Sequence, residues 1–100
     1  MIYITEVRME PPGKHHGHIA AVRWVKKDSP ESGESTRVEM VEWIGERTDA
    51  ACVLGHKGKD KGKEIEIRAI RPKRGRAYIR SYRNGKPGDN LLLLPWYGVN

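Results

Sequence analysis

The amino-acid sequence predicts one α+β domain over residues 1–100, an antiparallel sheet of about five strands with one amphipathic helix packed on one face, in the order ββαβββ. Three observations carry this prediction. Apolar and polar residues alternate with period two from Glu64 to Arg71 and again from Ala77 to Arg83, as half-buried antiparallel strands require. Thr36-Arg37-Val38-Glu39 has capping-box spacing just ahead of an apolar-periodic run. Asn84-Gly85 is a strong turn signal, because both residues tolerate positive φ.

In chain order, Ile2–Met9 reads as a strand in which Tyr3, Thr5 and Val7 alternate with Ile4, Glu6 and Arg8. Pro11-Pro12-Gly13 ends it. His18–Lys26 is a second strand weighted by Val22, Trp24 and Val25, and the two form a hairpin whose long connection leaves the register to side chains. Lys27–Ser35, rich in Asp, Ser, Pro, Glu and Gly, reads as a mobile loop. The helix that follows presents Val38, Met40, Val41 and Ile44 on one stripe, with Trp43 at its edge and Glu39, Glu42 and Glu46 opposite. Ala50–Leu54 is a short buried strand around Cys52, and Gly55–Lys63 is a flexible Gly/Lys loop. Pro72–Arg76 turns the chain between the two alternating strands, and Leu91–Tyr97 must fold back to cover its leucines.

Composition narrows the function classes. A chain of 100 residues with 37% hydrophobic and 32% charged residues buries one modest core under a heavily charged surface. A lone cysteine forms no internal disulfide, and the alternating N-terminus lacks the unbroken apolar stretch of a signal peptide, so the expected location is cytoplasmic. The longest apolar run, Leu91–Leu94, is far short of a membrane span. The overall charge is +6, and its distribution is uneven: residues 1–50 hold seven Lys/Arg against nine Asp/Glu, residues 51–100 twelve against four. Such asymmetry points to an anionic partner, nucleic acid first, although basic strands also serve simply to keep a small domain soluble.

Tyr3-Ile4-Thr5-Glu6-Val7-Arg8, His16-Gly17-His18-Ile19, Val22-Arg23-Trp24, Met40-Val41-Glu42-Trp43-Ile44 and Asp89-Asn90-Leu91-Leu92-Leu93-Leu94-Pro95 stand in this order along the chain. Together they resemble the small bacterial and phage proteins of domain-of-unknown-function family 3892. The resemblance spans nearly the whole chain, leaving the Gly/Lys loop and the acidic loop as local elaborations. It supports a single small domain and implies no established activity, substrate or cofactor.

The candidate chemistry is uneven. His15, His16 and His18 cluster beside a loop, with His56 elsewhere, but a structural zinc site usually recruits thiolates and only Cys52 exists, so no metal site is assigned. Gly58-Lys59-Asp60-Lys61-Gly62-Lys63 fails as a phosphate-binding loop: three residues separate its glycines where four are required, and Glu64 replaces the Ser/Thr. Arg71-Pro72-Lys73-Arg74-Gly75-Arg76 is the densest basic segment; its Arg74-Gly75-Arg76 core is similar to an AT-hook, yet Ala77 follows where that motif has proline. On the next strand Tyr78, Arg80 and Tyr82 share one face at spacing two. Exposed, these rings stack bases while Arg71, Lys73, Arg74, Arg76 and Arg83 hold phosphates; alternatively the tyrosines cover the core or the tail. Asp89-Asn90 reads as a strut, with Arg8 or Arg23 the expected partner of Asp89.

No catalytic residue and no cofactor is assigned, because the serines at 29, 32, 35 and 81 and Cys52 lack a local partner pattern. The sequence therefore points to a small non-catalytic module that binds a partner protein through an exposed sheet face or through Trp96 and Tyr97. The alternative is nucleic-acid binding by Arg71, Lys73, Arg74, Arg76, Tyr78, Arg80, Tyr82 and Arg83.

Overall fold

A computed structural model describes residues 1–46, 49–55 and 58–98. Its strands are β1 (Ile2–Met9), β2 (Ile19–Lys26), β3 (Ser32–Thr36), β4 (Ala51–Leu54), β5 (Glu64–Ile70), β6 (Tyr78–Arg83) and β7 (Lys86–Gly88), with one helix, α1 (Arg37–Gly45), between β3 and β4. They form one seven-stranded sheet in the order β3-β2-β1-β4-β5-β6-β7. Every neighbouring pair is antiparallel except β1 and β4, which run parallel through Ile2↔Ala51 and Tyr3↔Cys52. The α+β class stands, but seven strands replace the five expected, and the sheet is not purely antiparallel.

The two extra strands are edges that carry almost no apolar signal. The second half of the expected mobile loop Lys27–Ser35 instead belongs to Ser32–Thr36, which pairs with β2 from Ala21↔Thr36 to Val25↔Ser32. Its central glycine has a use: a Cβ on Gly33 would lie 2.6 Å from the Trp24 ring, so only glycine lets the indole lie across this edge while its Nε1 donates to Ser35 Oγ at 3.0 Å. At the other edge β7 spans three residues with Pro87 at its centre, a residue that central strands exclude. The two-residue connection before it is Asn84-Gly85, at φ 53° and 76°, as the primed hairpin turn demands.

Strict alternation fails in β1 after Ile4. The ladder with β2 shifts register between Ile4 and Glu6, so Ile2, Ile4, Val7 and Met9 are buried while Tyr3, Thr5, Glu6 and Arg8 stay half-exposed. One extra residue at a bulge flips the inward phase, which is why Val7 parts company with Tyr3 and Thr5. β4 pairs with only the first part of β1. The C-terminal tail takes over there: Val7 N–H donates to Pro95 O and Tyr97 N–H to Val7 O, each at 3.0 Å. Backbone groups of a central strand are thus satisfied by two successive neighbours.

The helix begins at the expected capping box. Thr36 Oγ1 accepts from Glu39 N–H, and Glu39 Oε1 accepts from Thr36 N–H. That second bond holds the Glu39 carboxyl below its ordinary range. Met40 and Val41 enter the core, Ile44 and Trp43 pack at its margin, and Val38, expected on the buried stripe, is exposed. With nine residues the helix has a single buried turn, and Val38 precedes it. The remaining core is Ile19, Val22, Ala51, Val53, Ile65, Ile67, Ile79, Leu91 and Leu94, so the tail folds back as predicted, with Leu93 left outside. No helix among the described residues is long and apolar enough to cross a membrane.

Candidate nucleic-acid interface

The alternation of β6 holds: Ile79 and Ser81 are buried, while Tyr78, Arg80, Tyr82 and Arg83 are half-buried. The face opposite the core therefore carries the expected tyrosines and arginine. Its neighbours modify their use. Arg68 of β5 lies over the Tyr82 ring, 4.7 Å from its centroid, and is itself held by Glu66 at 2.7 Å. Tyr82 thus has one face already covered by a cation. Tyr78 instead faces a concave surface.

That concavity unites two segments that the sequence treats separately. The connection between β1 and β2 contains a short 3₁₀ turn, His16–His18, which packs against β6. Its histidines join Arg74, Arg76, Tyr78 and Arg80 around a pocket of about 460 Å³. The basic turn is fastened on both sides. Arg76 donates to Gly17 O at 3.1 Å and pairs with Glu10, tying it to the 3₁₀ turn. Arg37 of α1 donates to Ala77 O at 2.5 Å, tying it to the start of the helix.

The arginines divide by engagement. Arg80 donates from Nε to Gly88 O and from Nη2 to Asp89 Oδ1, each at 3.1 Å, and Arg83 pairs with Asp60 at 2.6 Å. Arg71 runs across the end of α1, where a Cβ on Gly45 would lie 2.8 Å from its Nη2; a cation there suits the carbonyl end of a helix. Among the described residues, Arg71, Lys73 and Arg74 make no ion pair. All three are exposed.

His16 is the residue whose role sequence reasoning missed. Its side chain is only 6% exposed, and its Nε2 has no hydrogen-bond partner among the described residues. Burial, helped by the nearby Arg80 guanidinium, pushes its pKa down to about 4, so the ring is neutral at pH 7. The other two histidines are engaged elsewhere: the rings of His15 and His18 stack with centroids 3.7 Å apart, and His18 Nδ1 accepts from Lys14 N–H at 3.0 Å. Among the described residues no three His, Cys, Asp or Glu side chains are grouped to hold a metal ion, and His56 lies outside those residues. The signal that could have singled out His16 is its place in a tight turn between two strands, where a side chain can be pressed inward.

Asp89 corrects another expectation. It pairs with Arg80 rather than Arg8 or Arg23, because the short β6–β7 hairpin returns the chain alongside β6. Asn90 is the strut: its Oδ1 accepts from the buried Ser81 hydroxyl at 3.0 Å. Arg23 pairs with Glu6 and stacks on Tyr97 at 4.0 Å. Tyr97 is thus half-buried structure, its phenol pushed up to about 12 by burial and the neighbouring Glu34. Trp96 differs: it is 48% exposed and borders a cleft of about 320 Å³ with Met9, Glu10, Pro11, Pro12 and Gly13. Cys52 is buried beside β1, and burial pushes its thiol up to about 11.

Comparison with known proteins places the chain in a family. A family model described as "Protein of unknown function (DUF3892)" matches residues 3–95, and the protein belongs to that family. No curated protein and no solved structure matches it.

Proposed function

We propose that this family member binds single-stranded nucleic acid, with Tyr78 as the stacking ring and Arg71, Lys73 and Arg74 as the phosphate contacts. The observation that supports the reading best is the collection of Tyr78, Arg74, Arg76 and Arg80 around one concave surface, beside cations that no acidic side chain neutralises among the described residues. Stacking on an aromatic ring next to mobile cations grips single strands without requiring base-edge readout. Arg76 and Arg83 serve this surface as scaffold, since each already has a carboxylate partner. Tyr82, covered by Arg68, contributes less than Tyr78.

The reading is one of binding, without catalysis. Cys52, the single thiol of the sequence, is buried with a raised pKa, the opposite of an activated thiolate. Salt titration of oligonucleotide binding is the test. Affinity should fall steeply with salt, Arg74→Ala should reduce the log–log slope by about one, and Tyr78→Ala should cost about 1–3 kcal/mol of binding. Affinity that is indifferent to salt and to Tyr78→Ala refutes the reading.

A protein partner is the second reading, and one observation favours it. Trp96 and Leu93 leave 48% and 49% of their surface in water, Trp96 beside Pro11 and Pro12. A stoichiometric partner that survives nuclease treatment and is lost on Trp96→Ala would support it.

A further inference from the structure

The floor of the Tyr78 pocket holds an arrangement that a stacking surface alone does not need. His16 keeps a buried Nε2 without a hydrogen bond among the described residues, and leaving such a group unpaired forfeits the hydration it had in water with nothing in return. Folded proteins retain few of these, and those retained call for a reason. The nearest acidic atom, Asp89 Oδ1, stands 4.0 Å away, too far to accept a proton from it. The same Oδ1 accepts from Arg80 Nη2 at 3.1 Å. One carboxylate oxygen therefore lies between a fixed guanidinium and an imidazole that lacks a partner, yet the side chain carrying it is 67% exposed.

We propose that this pocket takes a terminal phosphate monoester, bound by His16, Arg80 and Arg74, and that Asp89 competes for the same place. The assignment deepens the single-strand reading, on which it rests for the source of the phosphate. Arg80 is held in place by Gly88 O through its Nε, so its Nη2 is aimed in advance. Arg74 lines the same pocket, has no ion pair among the described residues, and sits next to Gly75, whose φ of 87° turns the loop. The volume of about 460 Å³ falls within the range of roughly 300–1,000 Å³ common for small-ligand sites.

The choice of monoester over diester follows from counting oxygens. A phosphate at a strand end presents three terminal oxygens, enough for His16, Arg80 and Arg74 together. A phosphate inside a strand has two, and its chain must leave in both directions. The fixed charge also fits. Arg74, Arg76 and Arg80 face Glu10 and Asp89, leaving one net positive charge until Asp89 swings outward and the balance shifts toward the ligand. Because Asp89 is mostly in water and lies beyond the last strand, its carboxylate can leave at little cost.

The test compares one short oligonucleotide with a 5′-phosphate, a 3′-phosphate and neither, alongside a nucleoside monophosphate, by calorimetry on wild type, His16→Gln and Asp89→Asn. One phosphorylated end should bind about tenfold more tightly than the unmodified strand, as expected of hydrogen bonds to a charged group. His16→Gln should abolish that preference, with circular dichroism reporting whether the fold persists. Asp89→Asn removes the competitor and should tighten phosphate binding about threefold, the scale of an exposed ion pair. Equal affinity for all three oligonucleotides, or weaker phosphate binding in Asp89→Asn, overturns the site while leaving the single-strand reading intact. Binding of the monophosphate without any oligonucleotide binding does the opposite: the pocket stands with a free nucleotide as its source, and the single-strand reading falls.

Discussion

Arginine, tyrosine and a carboxylate meet twice in this molecule, with opposite results. On the β2–β3 side, Arg23 covers the Tyr97 ring at 4.0 Å and pairs with Glu6, while Glu34 neighbours the phenol. The Tyr97 hydroxyl is buried there without a hydrogen-bond partner among the described residues, and the guanidinium caps its ring. On the β6 side, Arg80 pairs with Asp89 and Tyr78 stands close by, but a concavity remains and His16 keeps an unpaired nitrogen. Identical residue types make a brace in one place and a candidate site in the other. The difference lies in access: the unpaired nitrogen of His16 belongs to a residue that lines a concavity, and an unpaired polar group beside open space is what a ligand can complete.

The contrast predicts that damage to the tail costs stability and damage to the pocket costs binding. Leu91→Ala, which hollows the fully buried root of the tail, should lower unfolding free energy by about 3–4 kcal/mol in a denaturant titration. A loss under about 1 kcal/mol would make the tail an appendage. Acid should act on the pocket next. The folded His16 pKa lies below its ordinary 6.5, so the unfolded chain takes up its proton first as pH falls. Stability from this group is complete above pH 6.5 and drains as pH approaches 4, by about 2–3 kcal/mol at roughly pH 4.5. Arg80, Asp89 and His15 are the charges that tune it. His16→Gln should flatten this part of the stability profile, and an unchanged profile would mean that His16 is not buried neutral.

Smaller effects sharpen the same division. Thr36→Ala removes the helix cap and should cost about 1 kcal/mol of unfolding free energy, without touching oligonucleotide binding. Arg74→Ala should do the reverse, changing stability by less than about 0.5 kcal/mol while weakening binding. A large stability loss in Arg74→Ala would move that residue from the site into the scaffold.

Much of the architecture is legible in the residues, and the exceptions have causes. Ile65 and Ile67, and Ile79 and Ser81, face inward because alternation in regular strands maps directly onto the two faces of a sheet. The Thr36 cap and the Asn84-Gly85 turn are local chemistry and equally readable. β3 is not, because an edge strand of Ser, Gly, Glu and Thr has no apolar face to betray it. β1 reads in the wrong phase after Ile4, because a bulge leaves no mark in composition. The parallel β1–β4 pair and the packing of His16–His18 against β6 are both long-range arrangements. The site is therefore half visible: Arg74, Arg76, Tyr78 and Arg80 follow from the sequence, but only the fold brings His16 and Asp89 to them.

Backbone amide chemical-shift mapping during titration with an unstructured oligonucleotide tests the central claim most directly. Perturbations should concentrate at residues 15–18 and 71–83 and weaken together as salt rises. Shifts centred instead on Leu93, Trp96 and residues 10–13, or spread evenly over the surface, would contradict it.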